Sequence, residues 1–127
     1  MAICYKQRKV ANQVENMTVI GDVKGKNVVI VDDMCDTAGT LTKAADLMME
    51  HSALSVRAIC THPVLSGPAY ERIANSSLQE LIVTDSIPLR TDVDTSKITV
   101  LPVHDMFAQT LRCLMANKSI SSQFTLQ

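Results

Sequence analysis

The sequence predicts a single α/β domain of three layers, in which helices flank a mostly parallel β-sheet. Short β-branched segments alternate along the chain with segments of helical periodicity, and strand–helix–strand–helix–strand makes two consecutive crossover units. The 127 residues suffice for one domain, and an apolar fraction of 46 % is enough for one core. Only 3 % of the residues are aromatic, so the core must be aliphatic.

Composition also excludes several classes of function. Twelve Lys and Arg residues against thirteen Asp and Glu residues give a net charge of −1, which offers no basic field for nucleic acid or anionic lipid. No apolar run approaches the roughly 20 residues of a membrane span, and no signal peptide is recognisable. We therefore expect a cytoplasmic protein without a nucleic-acid or membrane partner.

The four cysteines show no metal-binding or redox motif. They form no C-x-x-C pair and have no histidine at zinc-finger spacing. Reduced thiols that act as small apolar side chains are favoured, and a disulfide is the weaker alternative. The residues are Cys4, Cys35, Cys60 and Cys113.

The first elements are two short strands separated by a long loop. Residues 2–5 and 17–20 are apolar and predict strands, whereas the polar segment 6–16 predicts a loop. A loop of this length is typical of mobile or functional segments. Gly21 to Lys26 then supply turn residues.

The strongest strand is the β-branched run Val28 to Val31, which is typical of a strand buried on both faces. A helix is expected to begin between Thr37 and Thr40, because apolar residues then recur at helical spacing. This stripe consists of Leu41, Ala44, Ala45 and Met48.

The remaining elements repeat the alternation. Strands are predicted at 56–60, 81–84 and 98–103, with a helix opened by Gly67-Pro68 and ending near Asn75. A last helix, 105–117, carries an apolar face of Phe107, Leu111, Leu114 and Met115. Ligands of open α/β sheets bind beyond the carboxyl ends of the strands, so the site is expected there.

Two adjacent carboxylates follow the strongest strand. Desolvation and mutual repulsion oppose placing Asp32 and Asp33 behind a buried strand unless a partner neutralises them. Suitable partners are a divalent cation or the vicinal hydroxyls of a sugar, which donate two hydrogen bonds to an acceptor-only group.

The next segment, Asp36-Thr37-Ala38-Gly39-Thr40, leads into the predicted helix and resembles a phosphate-binding site. A helix N-terminus offers unpaired N–H groups, Gly39 allows close approach of an anion, and the threonines add hydroxyl donors. Together with the carboxylates, this describes a ribose 5-phosphate pocket. The alternative is that Asp36 or Thr37 only caps the helix and that the paired aspartates are a solvated loop.

The motif lacks the G-x-G-x-x-G dinucleotide fingerprint and the Walker A pattern. It resembles the 5-phosphoribosyl-1-pyrophosphate (PRPP) loop of the type I phosphoribosyltransferase fold. Flanking segments are similar to ribose-phosphate pyrophosphokinase, the PRPP synthetase family, from Ala2 to Phe124. They read IGDVKGK, THPVLSGPA, VTDSIPL and KSISSQF.

The resemblance implies that residues 1–127 form the C-terminal phosphoribosyltransferase-like domain of such an enzyme, without its N-terminal half. The family converts ATP and ribose 5-phosphate to AMP and PRPP, with Mg²⁺. The resemblance places its catalytic K-x-R motif on Lys6 and Arg8, within a mobile loop 6–16. The family's ATP pocket and most magnesium ligands belong to the missing half. No metal ligand is therefore assigned here, and the isolated chain is expected to be inactive.

The resemblance also implies the remaining site residues. Asp32 and Asp33 would bind the ribose hydroxyls and Arg8 a phosphate, while the five residues of the 36–40 segment would hold the 5-phosphate. Ala38 stands where many relatives have Gly, and its methyl is tolerable if the backbone stays helical. The family is a homo-oligomer, typically a hexamer. A tail, 118–127, would bind a regulatory phosphate or nucleotide through Ser119, Ser121 and Phe124, with an ordinary frayed tail as the equal alternative.

Two other functions stay open at this point. One is a small phosphoribosyltransferase, which would need a base-binding hood and a pyrophosphate loop. The other is a non-catalytic, synthetase-associated regulatory subunit, which the K-x-R motif disfavours. Of the histidines, His62 is predicted to have a turn or packing role rather than a site role, and His51 and His104 are predicted at helix ends.

Overall fold

The computed structural model describes the backbone of residues 3–10 and 13–123 and the side chains of residues 21–121 and 123. The elements within these ranges alternate as the sequence predicts. In order they are β1 (Ile3–Val10), β2 (Gln13–Ile20), β3 (Asn27–Cys35), α1 (Gly39–Glu50), β4 (Ser55–Pro63), α2 (Ala69–Asn75), β5 (Glu80–Thr84), β6 (Ile98–Leu101), α3 (His104–Met115) and a 3₁₀ turn (Ser121–Gln123).

The main sheet has four strands in the order β3-β4-β5-β6, and all neighbouring strands are parallel. Helix α1 connects β3 to β4, and α2 connects β4 to β5, as two crossover units require. The predicted α/β class with a mostly parallel sheet is therefore confirmed, although the described helices α1 and α2 cover only one of its faces. Parallel strands also bring the carboxyl ends of β3, β4, β5 and β6 to one edge of the sheet.

The first two strands form a separate antiparallel hairpin, in which Ile3 pairs with Ile20. The prediction of a loop over 6–16 is wrong as secondary structure, because β1 and β2 include all of this segment except residues 11 and 12, which lie outside the described range. Polar side chains do not prevent pairing through the backbone, and the irregular register around Arg8 is the remaining departure from a regular ladder. The mobility and catalytic role of this segment stay predictions.

One face of the main sheet is covered by α1 and α2, and this side holds the core. Alternate residues of β4 and β5 point into it, and both helices contribute apolar side chains. Its fully buried large side chains include Ile73, Leu78, Leu81, Val56 and Val83. We call this the covered face.

The opposite face of the sheet, the open face, is solvent-exposed over the described residues. Val31 is 76 % exposed, Val29 is 54 % exposed, and Ile59 and Leu101 are also exposed. The prediction that the Val28–Val31 run is buried on both faces is therefore wrong. The run lies on β3, which is an edge strand covered on one side only.

Helix α3 forms where it was predicted, but none of its residues is buried. The apolar face of the helix consists of exposed Phe107, Leu111, Leu114 and Met115. His104 is the first residue of α3, and His51 follows the end of α1, so both histidines lie at helix ends as predicted. No helix in the described part of the chain has the length and hydropathy needed to cross a membrane.

Candidate functional site

The candidate site lies at the edge of the sheet where β3 ends and α1 begins. Strand β3 continues past Val31 to Cys35, because its pairing with β4 extends from Asn27–Ser55 to Cys35–Pro63. Both aspartates of the candidate pair therefore lie within the strand rather than beyond it. The connection to α1 is then only three residues long, from Asp36 to Ala38.

Asp32 and Asp33 are both exposed on the edge strand. Successive strand residues point to opposite faces, so Asp32 shares the side of Val28 and Ile30, which pack against the core. The Asp32 Oδ1 atom accepts a hydrogen bond from the Asp33 amide at 3.0 Å. Desolvation does not act strongly on exposed carboxylates, so the argument that burial demands a partner fails. The two groups are separate hydrogen-bond acceptors at the exposed end of the strand.

Asp36 is held by the loop that follows β4. Its carboxylate accepts a hydrogen bond from the Ser66 hydroxyl, and its carbonyl accepts the Ser66 amide at 3.1 Å. The Leu65 amide donates to the Cys35 carbonyl at 3.0 Å. Ser66 lies in the flanking segment THPVLSGPA, but the sequence does not indicate this contact across 30 residues. The Asp36 side chain is therefore part of a fixed turn.

Helix α1 begins without a side-chain cap. Its N-cap residue is Ala38, which makes no side-chain cap hydrogen bond, and the first intrahelical bond runs from the Thr42 amide to the Ala38 carbonyl at 2.9 Å. The alternative that Asp36 or Thr37 caps the helix is therefore wrong. Gly39 and Thr40 form the first turn, where amides lack intrahelical acceptors.

Ala38 adopts the left-handed conformation, with φ of 58° and ψ of 1°. The condition that its backbone stay in the helical region is thus not met. A left-handed conformation costs an L-residue about 1–2 kcal/mol. The Ala38 methyl is 4 % exposed and packs in the core, which offsets part of this cost.

Arg72 is a residue near this site that the sequence analysis did not identify. It lies on α2, and its Nη1 atom donates a hydrogen bond to the Thr37 carbonyl at 2.9 Å. A Cβ atom built on Gly39 would lie 3.1 Å from the same Nη1 atom, which is tighter than ordinary packing. The absence of a side chain at Gly39 therefore makes room for the guanidinium group. The partners are 35 positions apart in the chain, so no local sequence pattern indicates the contact.

His62 lies at the end of β4 and is exposed, so it is not a packing residue. Its Nδ1 atom is 3.0 Å from the Ser86 hydroxyl, which in turn donates to the Thr61 carbonyl at 3.1 Å. Thr84 donates to the same carbonyl at 2.7 Å. These contacts link the ends of β4 and β5 beside the candidate site.

Two thiols lie on the covered face below the site. Burial raises the pKa of the Cys35 thiol to about 12, and the neighbouring Cys60 and Asp32 act in the same direction. Burial also raises the pKa of Cys60. Cys35, Cys60 and Cys113 are free thiols in the structure. Because the protonated form is favoured, Cys35 and Cys60 behave as small apolar side chains.

The residues that the structure describes do not form a metal centre. No group of three or more His, Cys, Asp or Glu side chains within the described ranges is arranged to hold a metal ion.

A protein-family model described as "Phosphoribosyl synthetase-associated domain" matches residues 5–125. The chain belongs to this family. The match includes β3, the 36–40 segment and α2, and thus every described residue of the candidate site.

Curated relatives of the family carry the name ribose-phosphate pyrophosphokinase. The chain is 53 % identical to the relative from Helicobacter hepaticus over 124 residues and 51 % identical to the one from Campylobacter jejuni. In both cases the alignment covers 98 % of this chain and 40 % of the relative. The chain therefore spans about two fifths of the length of these relatives.

A solved structure gives the same family relationship. The crystal structure of phosphoribosylpyrophosphate synthetase from Mycobacterium smegmatis matches with a TM-score of 0.78 and 39 % sequence identity. The match covers 83 % of this chain and 35 % of that chain. The fold of the described residues is thus that of part of a PRPP synthetase.

Three predicted residues of the family lie outside the described side chains. Lys6 and Arg8 belong to β1, for which the structure describes only the backbone, and Phe124 follows the last described residue. Ser119 and Ser121 are described, and the Ser119 hydroxyl accepts the Ser121 amide at 3.1 Å. Their two hydroxyls are 2.9 Å apart, which closes a local turn before the 3₁₀ segment.

Proposed function

We propose that this chain is the domain of a ribose-phosphate pyrophosphokinase that binds ribose 5-phosphate and the product PRPP. The observation that carries the proposal is the start of α1. Its first turn has no side-chain cap, and it follows the exposed Asp32 and Asp33 by a few residues. Family membership over residues 5–125 supports the same function.

The 5-phosphate is assigned to the segment from Asp36 to Thr40. The amides at a helix start donate to anions, and the helix dipole favours negative charge there. The hydroxyls of Thr37 and Thr40 and the backbone around Ala38 and Gly39 complete the cradle. Because the Asp36 carboxylate is already bonded to Ser66, its role is to fix the turn and not to contact the phosphate.

The ribose hydroxyls are assigned to the carboxylates of Asp32 and Asp33. An ionised carboxylate only accepts hydrogen bonds, so sugar hydroxyls are suitable partners. Asp32 points to the side of the sheet on which α1 packs, and it is therefore assigned the main contacts. Asp33 is assigned a second, weaker contact from the next position along the strand.

In the longer protein, the C1 hydroxyl of ribose 5-phosphate attacks the β-phosphorus of ATP, and AMP leaves as the β,γ-pyrophosphoryl group is transferred. Such reactions depend on positioning and on positive charge at the phosphates. Lys6 is assigned the stabilisation of the transition state, and Arg8 is assigned a bidentate phosphate contact. The Mg²⁺ that the reaction uses in the family is not assigned to ligands in this chain.

Regulation and assembly follow the family resemblance. Ser119, Ser121 and Phe124 are assigned to a regulatory phosphate or nucleotide site between subunits of a homo-oligomer. The cellular location assigned to the protein is the cytoplasm. These assignments rest on the motif KSISSQF near the C-terminus and on family membership.

Calorimetric titration of the chain with ribose 5-phosphate, with Mg²⁺ present, tests the proposal. We expect saturable binding that Asp32→Asn weakens by about tenfold, because one charge-assisted hydrogen bond contributes about 1.5–3 kcal/mol. Asp33→Asn should weaken binding by less. Asp46→Asn, which changes an aspartate on α1 away from this segment, is the matched control and should bind as the wild type does.

The proposal would be contradicted if titration of the folded chain with ribose 5-phosphate produced no binding heat. It would also be contradicted if all three variants bound with equal affinity. The same preparation should release no AMP from ATP above background, because the chain spans about two fifths of the length of its relatives. AMP release at the rate of a full-length relative would show that this chain catalyses the reaction without the rest of such a protein.

A further inference from the structure

Arg72 contacts the segment that we assign to the 5-phosphate, although it belongs to a different helix. Its Nη1 atom donates to the Thr37 carbonyl at 2.9 Å, and its guanidinium group lies against the first turn of α1 beside Gly39. A guanidinium group has five N–H donors, and the described contacts use one of them.

The position of this charge is electrostatically unusual. A helix N-terminus carries partial positive charge, and a cation beside it is disfavoured. The C-terminal turn of α2 favours a basic residue such as Arg72, but that preference does not require the guanidinium to reach across to Thr37. An anion bound at the start of α1 would attract both the helix N-terminus and the guanidinium group, and so would offset the repulsion between them.

Arg72 also differs from two other arginines on the same domain. Arg57 lies 3.3 Å from a Glu80 carboxylate oxygen, and Arg90 lies 2.6 Å from an Asp92 carboxylate oxygen. Within the described side chains, Arg72 has no carboxylate within 4.0 Å, and its contact is to a neutral carbonyl. None of the described carboxylates therefore neutralises its charge.

Gly39 is coupled to this arrangement. A methyl group at position 39 would lie 3.1 Å from Nη1 and 3.7 Å from Cζ of Arg72, so the guanidinium would have to shift by a few tenths of an ångström, which disturbs its hydrogen bond to Thr37. Close approach of an anion is the usual reason for glycine in a phosphate loop. Here the group closest to Gly39 is the Arg72 guanidinium, and its positive charge favours binding of an anion at the same place.

We propose that Arg72 is a positioning residue that orients the Thr37 backbone and places a positive charge beside the phosphate monoester of the ligand. This inference rests on the proposed function and deepens it. According to this proposal, a residue of α2 takes part in phosphate recognition. The helix that follows β4 thus contributes to the site that lies after β3. The ligand class is a sugar that carries a phosphate monoester.

Titration with ribose 5-phosphate tests the inference in four single variants and one double variant. Arg72→Gln should weaken binding by about 10- to 100-fold, the range expected for one charge-assisted contact, and Arg72→Lys should restore part of the loss. Gly39→Ala should weaken binding by a similar factor, but should add little in the Arg72→Gln background because it acts by displacing the guanidinium. Arg90→Gln is the matched control and should bind as the wild type does.

The thermal unfolding midpoint of each variant shows whether a loss of affinity reflects a loss of fold. Wild-type affinity in a folded Arg72→Gln variant would overturn the inference and leave the proposed function standing. Additive losses for Gly39→Ala and Arg72→Gln would also overturn it. Failure of the wild-type chain to bind ribose 5-phosphate would overturn both proposals.

Discussion

Leu81 on β5 and Leu101 on β6 lie on opposite faces of the same sheet and have opposite environments. Leu81 is fully buried beneath α1 and α2, whereas Leu101 is 53 % exposed on the open face. Both leucines occur in short apolar segments that predict strands equally well. The comparison teaches that strand composition indicates where a strand forms but not how many of its faces are covered.

The largest difference that we expect between the two faces is in the response to truncation of leucine. Leu81→Ala should lower the free energy of unfolding by about 3 kcal/mol, because it leaves a cavity in the packed core. Leu101→Ala should lower it by about 0.5 kcal/mol, which is typical of exposed positions. Urea denaturation of both variants measures the difference. Equal losses would mean that the open face is covered in solution.

A second pair of substitutions sharpens the comparison within the covered face, where Ala38 and Ala45 are both buried. Ala45→Gly should lower the free energy of unfolding by about 2 kcal/mol, the sum of about 1 kcal/mol of helix propensity and about 0.8 kcal/mol of lost burial. Ala38→Gly should be nearly neutral, because relief of the left-handed strain, about 1 kcal/mol, offsets the same loss of burial. The two unfolding midpoints in urea are the measurement. If Ala38→Gly lowered the free energy of unfolding as much as Ala45→Gly, the backbone strain assigned to Ala38 would be contradicted.

The smallest effect concerns the thiols of the covered face. Cys35 has a folded-state pKa of about 12 against an ordinary value of 9.0, so the proton is held more tightly in the folded chain. Its stabilising contribution is complete below pH 9 and is lost as the pH rises toward 12. Between pH 8 and 10, stability should fall less in Cys35→Ala than in the wild type.

Cys113→Ala is the control for this measurement, because Cys113 is only half-buried and lies on α3. We expect its unfolding midpoint to follow the wild-type pH dependence. An identical pH dependence in Cys35→Ala and in the wild type would show that the Cys35 thiol ionises equally easily in the folded and unfolded chain.

The sequence predicted the α/β class and the parallel sheet because these follow from local patterns. The β-branched run at Val28, the stripe that starts at Leu41 and the Pro68 helix start each lie within a few residues of the structure they predict. The right-handed crossover rule then leaves few ways to connect them. The candidate phosphate segment was found for the same reason, since a glycine and two threonines at a strand-to-helix junction are adjacent in the chain.

Features that depend on distant residues were missed. Strand β3 extends to Cys35 because β4 pairs with it that far, and pairing partners are not visible in a local pattern. The left-handed Ala38 is enforced by the tight connection between β3 and α1, although alanine itself disfavours that conformation. The contact between Arg72 and Thr37 joins two crossover units and has no signature in either segment.

The loop after β4 is tied to the junction after β3 by three hydrogen bonds, from Leu65 and Ser66 to Cys35 and Asp36. The conformations of the two connections are consequently coupled. An insertion or deletion between Pro63 and Ala69 would change the shape of the turn from Asp36 to Ala38 without altering any of its residues. Any redesign of the junction after β3 therefore has to include the loop after β4.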